Sequence, residues 1–101
     1  MKVRIQSVNF NIDRSLVDFV ETKVSNLDKF YDKIIDAEVY LKVENTSDKE
    51  NKIAEIKLNI PGGDLMVKKQ CKTFEEGVDL AVDSLRRQLN KRKEKQRAHY
   101  S

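Results

Sequence analysis

Residues 52–67, KIAEIKLNIPGGDLMV, contain two apolar runs on either side of a tight turn. Every second side chain of residues 52–60 is apolar, which is typical of a strand with one buried face; these side chains are Ala54, Ile56, Leu58 and Ile60. Pro61-Gly62-Gly63-Asp64 is a strong turn signal, and a second strand begins with Leu65 and Val67 and ends near Lys72. The stretch therefore predicts a β-hairpin.

Two more strands are predicted upstream of the hairpin. Residues 36–44 alternate cleanly, and the face expected to be buried carries Ala37, Val39, Leu41 and Val43. Residues 45–51 form a polar connection to the hairpin. Residues 2–10 also alternate, but the apolar phase slips between Ile5 and Val8. That slip predicts a β-bulge in the first strand.

Two amphipathic helices are predicted, one on each side of the three consecutive strands. Asp13 is suited to cap the first helix, whose apolar face consists of Leu16, Val17, Val20, Val24, Leu27 and Phe30 or Tyr31. Thr73 with Glu76 forms a capping box for the second helix, whose apolar stripe consists of Phe74, Val78, Ala81, Val82, Leu85 and Leu89. Arg92 and Gln96 are the next positions on that stripe, so we expect the helix beyond Leu89 to be solvated.

The elements follow the order β-α-β-β-β-α. Strands and helices with one apolar face each predict an α+β two-layer sandwich, in which two helices cover one face of a four-stranded, mainly antiparallel sheet. We expect residues 1–95 to form one domain and residues 96–101 to be a disordered basic tail.

Charge is distributed very unevenly along the chain. The net charge is +3, but residues 86–97 hold seven of the 20 basic residues and one acid, which gives this segment +6. The rest of the chain, with 13 basic and 16 acidic residues, carries −3. One or two cations suffice to complement a helix dipole. Seven in one helix end favour a polyanionic partner, and nucleic acid is the preferred interpretation.

No group of residues predicts catalysis, a metal site or a cofactor. Cys71 is the only cysteine and His99 the only histidine, and neither has an identifiable base or acid partner. Gly62-Gly63 fits a hairpin turn, since a phosphate-binding loop needs a longer glycine pattern that leads into a helix. No apolar run approaches the ~20 residues of a membrane span, and the first residues lack a signal peptide. We therefore expect a cytosolic protein that is not an enzyme, with no membrane partner and no small-molecule substrate.

The outward face of the predicted sheet argues against recognition by base stacking. RNA recognition motifs stack bases on exposed sheet aromatics, but Tyr40 is the only aromatic residue on this face. Its acids and lysines predict cross-strand ion pairs instead. The strand order also differs from the β-α-β-β-α-β order of that motif. Contact with phosphates from the helical side is the remaining mode.

The candidate RNA-binding residues lie on both helices. The solvent-facing arc of the second helix carries Arg86, Arg87, Lys91, Lys93 and Lys95, a span of about 14 Å at 1.5 Å per residue. The first helix is expected to contribute Lys23, Lys29 and Lys33. Asp28 and Asp32 alternate with two of these lysines, so an ordinary solvated helix surface is an equal alternative for them. Two other functions stay open: a free double-stranded-RNA-binding module, and a protein-interaction module that docks an acidic partner.

The chain resembles the short-form ribosome hibernation promoting factors, also called ribosome-associated translation inhibitor A. The resemblance covers nearly the whole chain and rests on the β-α-β-β-β-α order together with three segments. These are Asn26-Leu27-Asp28-Lys29-Phe30 at the close of the first helix, the Ile60-Pro61-Gly62-Gly63 turn and Arg87-Gln88-Leu89-Asn90-Lys91 in the basic helix.

The resemblance implies a fold like a double-stranded-RNA-binding domain and a function on the ribosome. Members of the family bind ribosomal RNA of the small subunit in the mRNA and tRNA channel, and they block translation in stationary phase or under stress. Arg87 and Lys91 match the family's basic helix best, and Lys23 and Lys29 match its basic positions on the first helix. Arg86 departs from relatives that carry an acid there. We expect the free protein to be monomeric.

Overall fold

The computed structural model describes residues 1–44 and 49–99, with side chains described as far as Lys93. The elements are β1 (Lys2–Val8), α1 (Arg14–Ser25), a 3₁₀ turn (Asn26–Lys29), β2 (Asp36–Val43), β3 (Lys52–Ile60), β4 (Gly63–Cys71) and α2 (Phe74–His99). This is the predicted element order. Residues 96–99 of the predicted tail continue α2, and residues 100–101 lie outside the described part, as do residues 45–48 of the predicted connection. The domain boundary at residue 95 stays a prediction.

The four strands form one mixed sheet in the order β1-β2-β3-β4. β1 pairs with β2 in parallel, whereas β2 with β3 and β3 with β4 pair antiparallel. A parallel pair needs a crossover connection, and α1 lies in the segment between β1 and β2. The predicted, mainly antiparallel sheet is confirmed.

The predicted bulge in β1 is wrong. β1 pairs with β2 residue for residue from Lys2↔Asp36 to Val8↔Lys42. The apolar phase changes because the strand ends at Val8 and the next residue, Asn9, has a left-handed backbone with φ of 67°. Asparagine tolerates that conformation better than most residues. Beyond it, the ring of Phe10 stacks on that of Phe74, with the centroids 4.6 Å apart.

Both helices pack on the same face of the sheet around one hydrophobic core. The sheet contributes the buried residues Ala37, Val39, Leu41, Ala54, Ile56 and Leu58. The helices contribute the buried residues Leu16, Val20, Val24, Val78, Ala81, Leu85 and Leu89. These are the apolar positions that the two periodicities select, so the predicted α+β sandwich is confirmed.

Side chains at both helix starts satisfy backbone N–H groups that have no partner within the helix. The N–H of Leu16 donates to Oδ1 of Asp13 at 2.8 Å, and the N–H of Glu76 donates to Oγ1 of Thr73 at 3.2 Å. One turn into α2, a Cβ at Gly77 would lie only 3.2 Å from the Cβ of Ala54. Glycine therefore lets α2 approach β3 closely at the point where the helix begins.

The far part of α2 is held by the β3–β4 turn. Leu89 is fully buried, and one turn later a guanidinium nitrogen of Arg92 donates to the carbonyl oxygen of Pro61 at 3.0 Å. Arg92 is half-buried rather than solvated. The sequence correctly predicts that Leu89 is the last residue of the apolar stripe that packs into the hydrophobic core. It misses this polar contact, which extends the supported part of the helix by one turn.

Candidate nucleic-acid interface

The predicted cations of α2 lie along its last described turns, and we call Arg86, Arg87, Lys91, Lys93 and Lys95 the basic arc. Arg86, Arg87 and Lys91 are exposed, whereas Lys93 is half-buried. The side chain of Lys95 lies outside the described part of the chain. Three of the five predicted residues are thus positioned to meet a ligand.

Asp83 holds two of these cations. Its Oδ1 lies 2.7 Å from a guanidinium nitrogen of Arg86, and its Oδ2 lies 3.2 Å from one of Arg87. The guanidinium of Arg86 also lies over the ring of Phe30, 5.4 Å from the centroid. Two such contacts restrict the rotamers of Arg86. Less side-chain entropy is therefore lost when a ligand binds it.

A groove runs between the two helices, and we call it the inter-helix groove. It is open and has a volume of about 520 Å³. Its apolar lining residues are Leu27, Phe30 and Val82, and its polar lining residues are Lys23, Asn26, Lys29, Asp79, Asp83 and Arg86. The predicted residues Lys23, Lys29 and Arg86 therefore come together at one site.

The lysines of the first helical region differ in their surroundings. Nζ of Lys23 lies 3.2 Å from Oδ1 of Asp79 and 5.6 Å from the ring centroid of Phe19. Lys29 lines the groove, while the neighbouring Asp28 binds the amino group of Met1 at 2.8 Å. That carboxylate is therefore engaged away from Lys29. A binding role for Lys29 stays a prediction.

Of the three lysines predicted on the first helix, Lys23 lies on α1, Lys29 lies on the 3₁₀ turn that follows it, and Lys33 lies beyond both, so the placement of Lys33 is wrong. α1 ends at Ser25, the 3₁₀ turn ends at Lys29, and Lys33 occupies a turn before β2. The α-helix ends because the backbone changes to a 3₁₀ turn at residue 26. After that turn, Tyr31 and Ile34 are buried in the core, and the chain continues into β2. Lys33 is exposed but does not line the inter-helix groove.

The opposite face of the sheet carries the predicted cross-strand ion pairs. Arg4 lies 3.0 Å from Asp36 and 3.7 Å from Glu38, and Lys57 lies 3.9 Å from Glu38 and 3.6 Å from Asp64. Tyr40 is the one aromatic residue on this face of the four described strands. Paired charges and a single aromatic ring do not form a platform for stacked bases.

Of the two groups considered for catalysis, only Cys71 has a described side chain, and its surroundings do not suit a nucleophile. Cys71 is buried, and its burial, followed by the charges of Glu76 and Glu50, raises the pKa of its thiol above the ordinary value of 9.0. A nucleophilic cysteine needs the opposite shift. Among the residues whose side chains are described, no group of acids, histidines and cysteines could hold a metal ion. The side chain of His99 lies outside those residues. Neither of the described α-helices is both long and apolar enough to cross a membrane.

The sequence reasoning missed three residues of the interface: Asp79, Asp83 and Phe30. The acids carry a usable signal, because residues three or four apart on a helix face each other. Asp83 precedes Arg86 by three positions and Arg87 by four. Asp79 was harder to find, since its partner Lys23 is on the other helix. Phe30 was assigned only to the core, although its half-buried ring also faces the groove.

Comparison with known proteins identifies the family. Residues 3–97 match the family described as sigma 54 modulation protein / S30EA ribosomal protein. A ribosome hibernation promoting factor of Klebsiella oxytoca is 33% identical over 99 residues, which cover 98% of this chain and 100% of that protein. A ribosome hibernation promotion factor of Bacillus subtilis is 31% identical over 97 residues, which cover 94% of this chain and 50% of that protein.

Two solved structures share the fold. The N-terminal domain of Thermus thermophilus Protein Y superposes with a TM-score of 0.77 at 28% identity, over 90% of this chain and 98% of that one. A ribosomal subunit interface protein of Coxiella burnetii superposes with a TM-score of 0.80 at 22% identity, over 92% of this chain and 98% of that one. The resemblance seen in the sequence is therefore confirmed, and the chain belongs to the sigma 54 modulation protein / S30EA ribosomal protein family.

Proposed function

We propose that this protein is a ribosome hibernation factor that binds the small ribosomal subunit in its mRNA and tRNA channel and blocks translation during stationary phase or stress. The observation that carries the proposal is the segregation of charge in a chain of this family. The basic arc and the lysines of the inter-helix groove lie on the helical side, whereas Arg4 and Lys57 on the sheet face are held in ion pairs with acids of that face. The proposed function implies a cytoplasmic location.

The mechanism is steric competition. The core fixes both helices on the sheet, so the domain enters the channel as a rigid body with its helical side against ribosomal RNA. Cations then contact phosphates, which hold and orient the protein without reading bases. No chemical step is required, because the bound domain occupies space that mRNA and tRNA need.

The cations contribute unequally to this contact. Arg87 and Lys91 are exposed and line a shallow depression of about 280 Å³ on α2, and we assign them the main phosphate contacts. Arg86, Lys23 and Lys29 line the inter-helix groove and form a second contact region. Lys33, Lys93 and Lys95 are assigned peripheral contacts, because Lys33 lies outside the groove and the other two lie past the supported part of α2.

The decisive experiment is cosedimentation of Arg87→Glu/Lys91→Glu with purified small subunits. Both side chains are exposed, so the fold should persist while binding falls at least tenfold, since two attractive contacts become repulsive. The matched control is Lys42→Glu/Lys68→Glu, which makes the same change of charge at exposed positions on the sheet face. Equal retention of the two variants on the subunit would contradict the proposal.

Competition separates this function from its two rivals. Generic duplex RNA should fail to displace the protein from small subunits at equimolar phosphate, because a ribosomal channel also selects shape. Efficient displacement would identify a free double-stranded-RNA-binding module. A nuclease-resistant complex with an acidic protein, formed without ribosomes, would instead identify a protein-interaction module. Sedimentation velocity of the free protein tests the accompanying proposal that it is a monomer.

A further inference from the structure

Two carboxylates lie within the basic surface. Asp79 and Asp83 are one helical turn apart on α2, and both line the inter-helix groove beside Lys23, Lys29 and Arg86. They are 52% and 45% exposed, so a ligand in the groove would meet them. Acids at this position weaken the attraction for phosphates, although the surrounding surface is suited to bind them.

We propose that Asp79 and Asp83 make the inter-helix groove selective for the ribose edge of RNA, and that they discriminate against DNA. This inference rests on the proposed function, because it requires RNA to approach the helical side. The 2′-hydroxyl distinguishes RNA from DNA at any given contact. The two carboxylates repel the phosphates of either polymer, and only in RNA does a hydrogen bond from the 2′-hydroxyl offset that repulsion.

The geometry leaves the carboxylates able to accept further hydrogen bonds. Asp79 uses Oδ1 for Lys23, and Asp83 uses one oxygen for each arginine. A carboxylate has about four lone-pair positions, so both side chains, which line the groove, can accept further hydrogen bonds. The cations at the same site bind the adjoining phosphates. The groove thus offers both cations for phosphates and carboxylates for a hydroxyl donor. A ribonucleotide, which has both groups, fits it better than a deoxyribonucleotide, which has only the phosphate.

The basic end of α2 cannot by itself distinguish RNA from DNA. The +6 segment at the end of α2 attracts any nucleic acid, because phosphate contacts carry no information about the type of polymer. Specificity improves when a site also contains elements that disfavour the wrong partner. Asp79 and Asp83 supply this element inside the groove, whereas Arg87 and Lys91 lie outside it.

The test compares binding of one duplex sequence, made as RNA and as DNA of about 16 base pairs, to the parent and to Asp79→Asn/Asp83→Asn. Removing each negative charge at about 6 Å from a phosphate should increase DNA affinity about threefold at low salt, and thus about tenfold for both. RNA affinity should rise by less than about threefold, because the weaker amide acceptors offset the lower repulsion. The ratio of RNA to DNA affinity therefore falls.

The matched control is Asp18→Asn/Asp64→Asn. It removes the same two charges and breaks ion pairs with Arg14 and Lys57 outside the groove. An equal rise for RNA and DNA in the groove variant would overturn the proposal, because it would reveal a general charge effect. A fall for both polymers would also overturn it, since the acids would then only hold the cations in place. Unchanged affinity, or no binding of the groove variant to either duplex, would overturn it as well.

Failure of this inference is distinct from failure of the proposed function. Binding of the parent protein to small subunits is measured separately and does not depend on the ratio of duplex affinities. A parent that binds subunits while its groove variant keeps full discrimination would retain the function and lose the inference. Circular dichroism of each asparagine variant should show the parent's spectrum, which checks that the fold is preserved.

Discussion

Leu89 and Arg92 lie nearly one turn apart on the same face of α2. The sequence predicts the burial of Leu89 but not the hydrogen bond of Arg92. The periodicity correctly identifies Leu89 as the last hydrophobic contact of the stripe, and the residue is fully buried. The hydrogen bond from Arg92 to the carbonyl of Pro61 could not be predicted. Its acceptor is a backbone atom 31 residues away in the chain, and only the folded hairpin brings it to the helix.

Replacement of Leu89 by alanine should destabilise the protein by about 2–5 kcal/mol, because it removes buried methyl groups and leaves a cavity. Urea unfolding monitored by circular dichroism measures the effect. Leu80→Ala is the control, since that side chain is 45% exposed and its loss should change stability by about 0.5 kcal/mol or less. Similar effects of the two changes would mean that the stripe does not end in the core at Leu89.

The thiol of Cys71 should react slowly with iodoacetamide in the folded protein. Burial raises its pKa above 9.0, so at about pH 8 the folded protein holds less thiolate than the unfolded chain. The same shift favours the folded state below pH 9, and this contribution is lost as the pH rises through the higher folded-state pKa. Mass spectrometry of alkylation with and without urea tests the first statement. Equal rates in both conditions would contradict the burial of the thiol.

At the scale of elements, periodicity predicted the strands and helices because each has one apolar face. The errors occurred where a tertiary contact overrides the local pattern. The apolar slip after Ile5 was interpreted as a bulge, but Asn9 ends the strand, and the ring of Phe10 then stacks on Phe74. Lys33 was assigned to the first helix, although the buried Tyr31 and Ile34 turn the chain toward β2.

The contact between α2 and the β3–β4 turn should depend on glycine at position 62. Its φ is +86°, and a Cβ there would lie 3.1 Å from a guanidinium nitrogen of Arg92. Gly62→Ala should therefore cost about 1–2 kcal/mol from the left-handed backbone, with an added steric cost. Arg92→Ala should remove the steric part, so the two substitutions should be coupled in a double-mutant cycle.

Gly63→Ala provides the matched control for this cycle. Gly63 also has a positive φ, of +154°, but a Cβ there would meet no atom within 4 Å. Gly63→Ala should therefore lower the stability through backbone strain, and this loss should be the same with and without Arg92→Ala. Coupling of the same size at both glycines would contradict a specific contact between position 62 and the arginine.

At the scale of the whole molecule, the sequence predicted the family, whereas the arrangement of the candidate site became visible only in the structure. The +6 segment can be identified by counting charges, and the lone Tyr40 on the sheet face removes base stacking. The meeting of Lys23, Lys29 and Arg86 in one groove depends on how α1 and the 3₁₀ turn pack beside α2. Helix packing is not encoded in a charge pattern. The assignment of these residues to RNA stays a prediction.

Binding to small subunits should weaken steeply with salt, because each neutralised phosphate releases counterions. In a plot of log affinity against log salt concentration, Arg87→Ala should reduce the slope by about 0.7–0.9, the value for one lost phosphate contact. Lys68→Ala, on the exposed sheet face, should leave the slope unchanged. A salt-independent affinity of the parent protein would contradict phosphate contact as the basis of binding.

The cross-strand ion pairs of Arg4 and Lys57 have a consequence for the number of RNA strands that one molecule can hold. Because these cations are already engaged by Asp36, Glu38 and Asp64, a nucleic-acid strand that meets the sheet must compete with carboxylates and finds one aromatic ring. Under the proposed function, these pairs predict that each molecule presents one main RNA-binding surface, on its helical side. A protein with one such surface does not bridge two RNA molecules, so we expect an excess of it to saturate its sites without condensing the RNA.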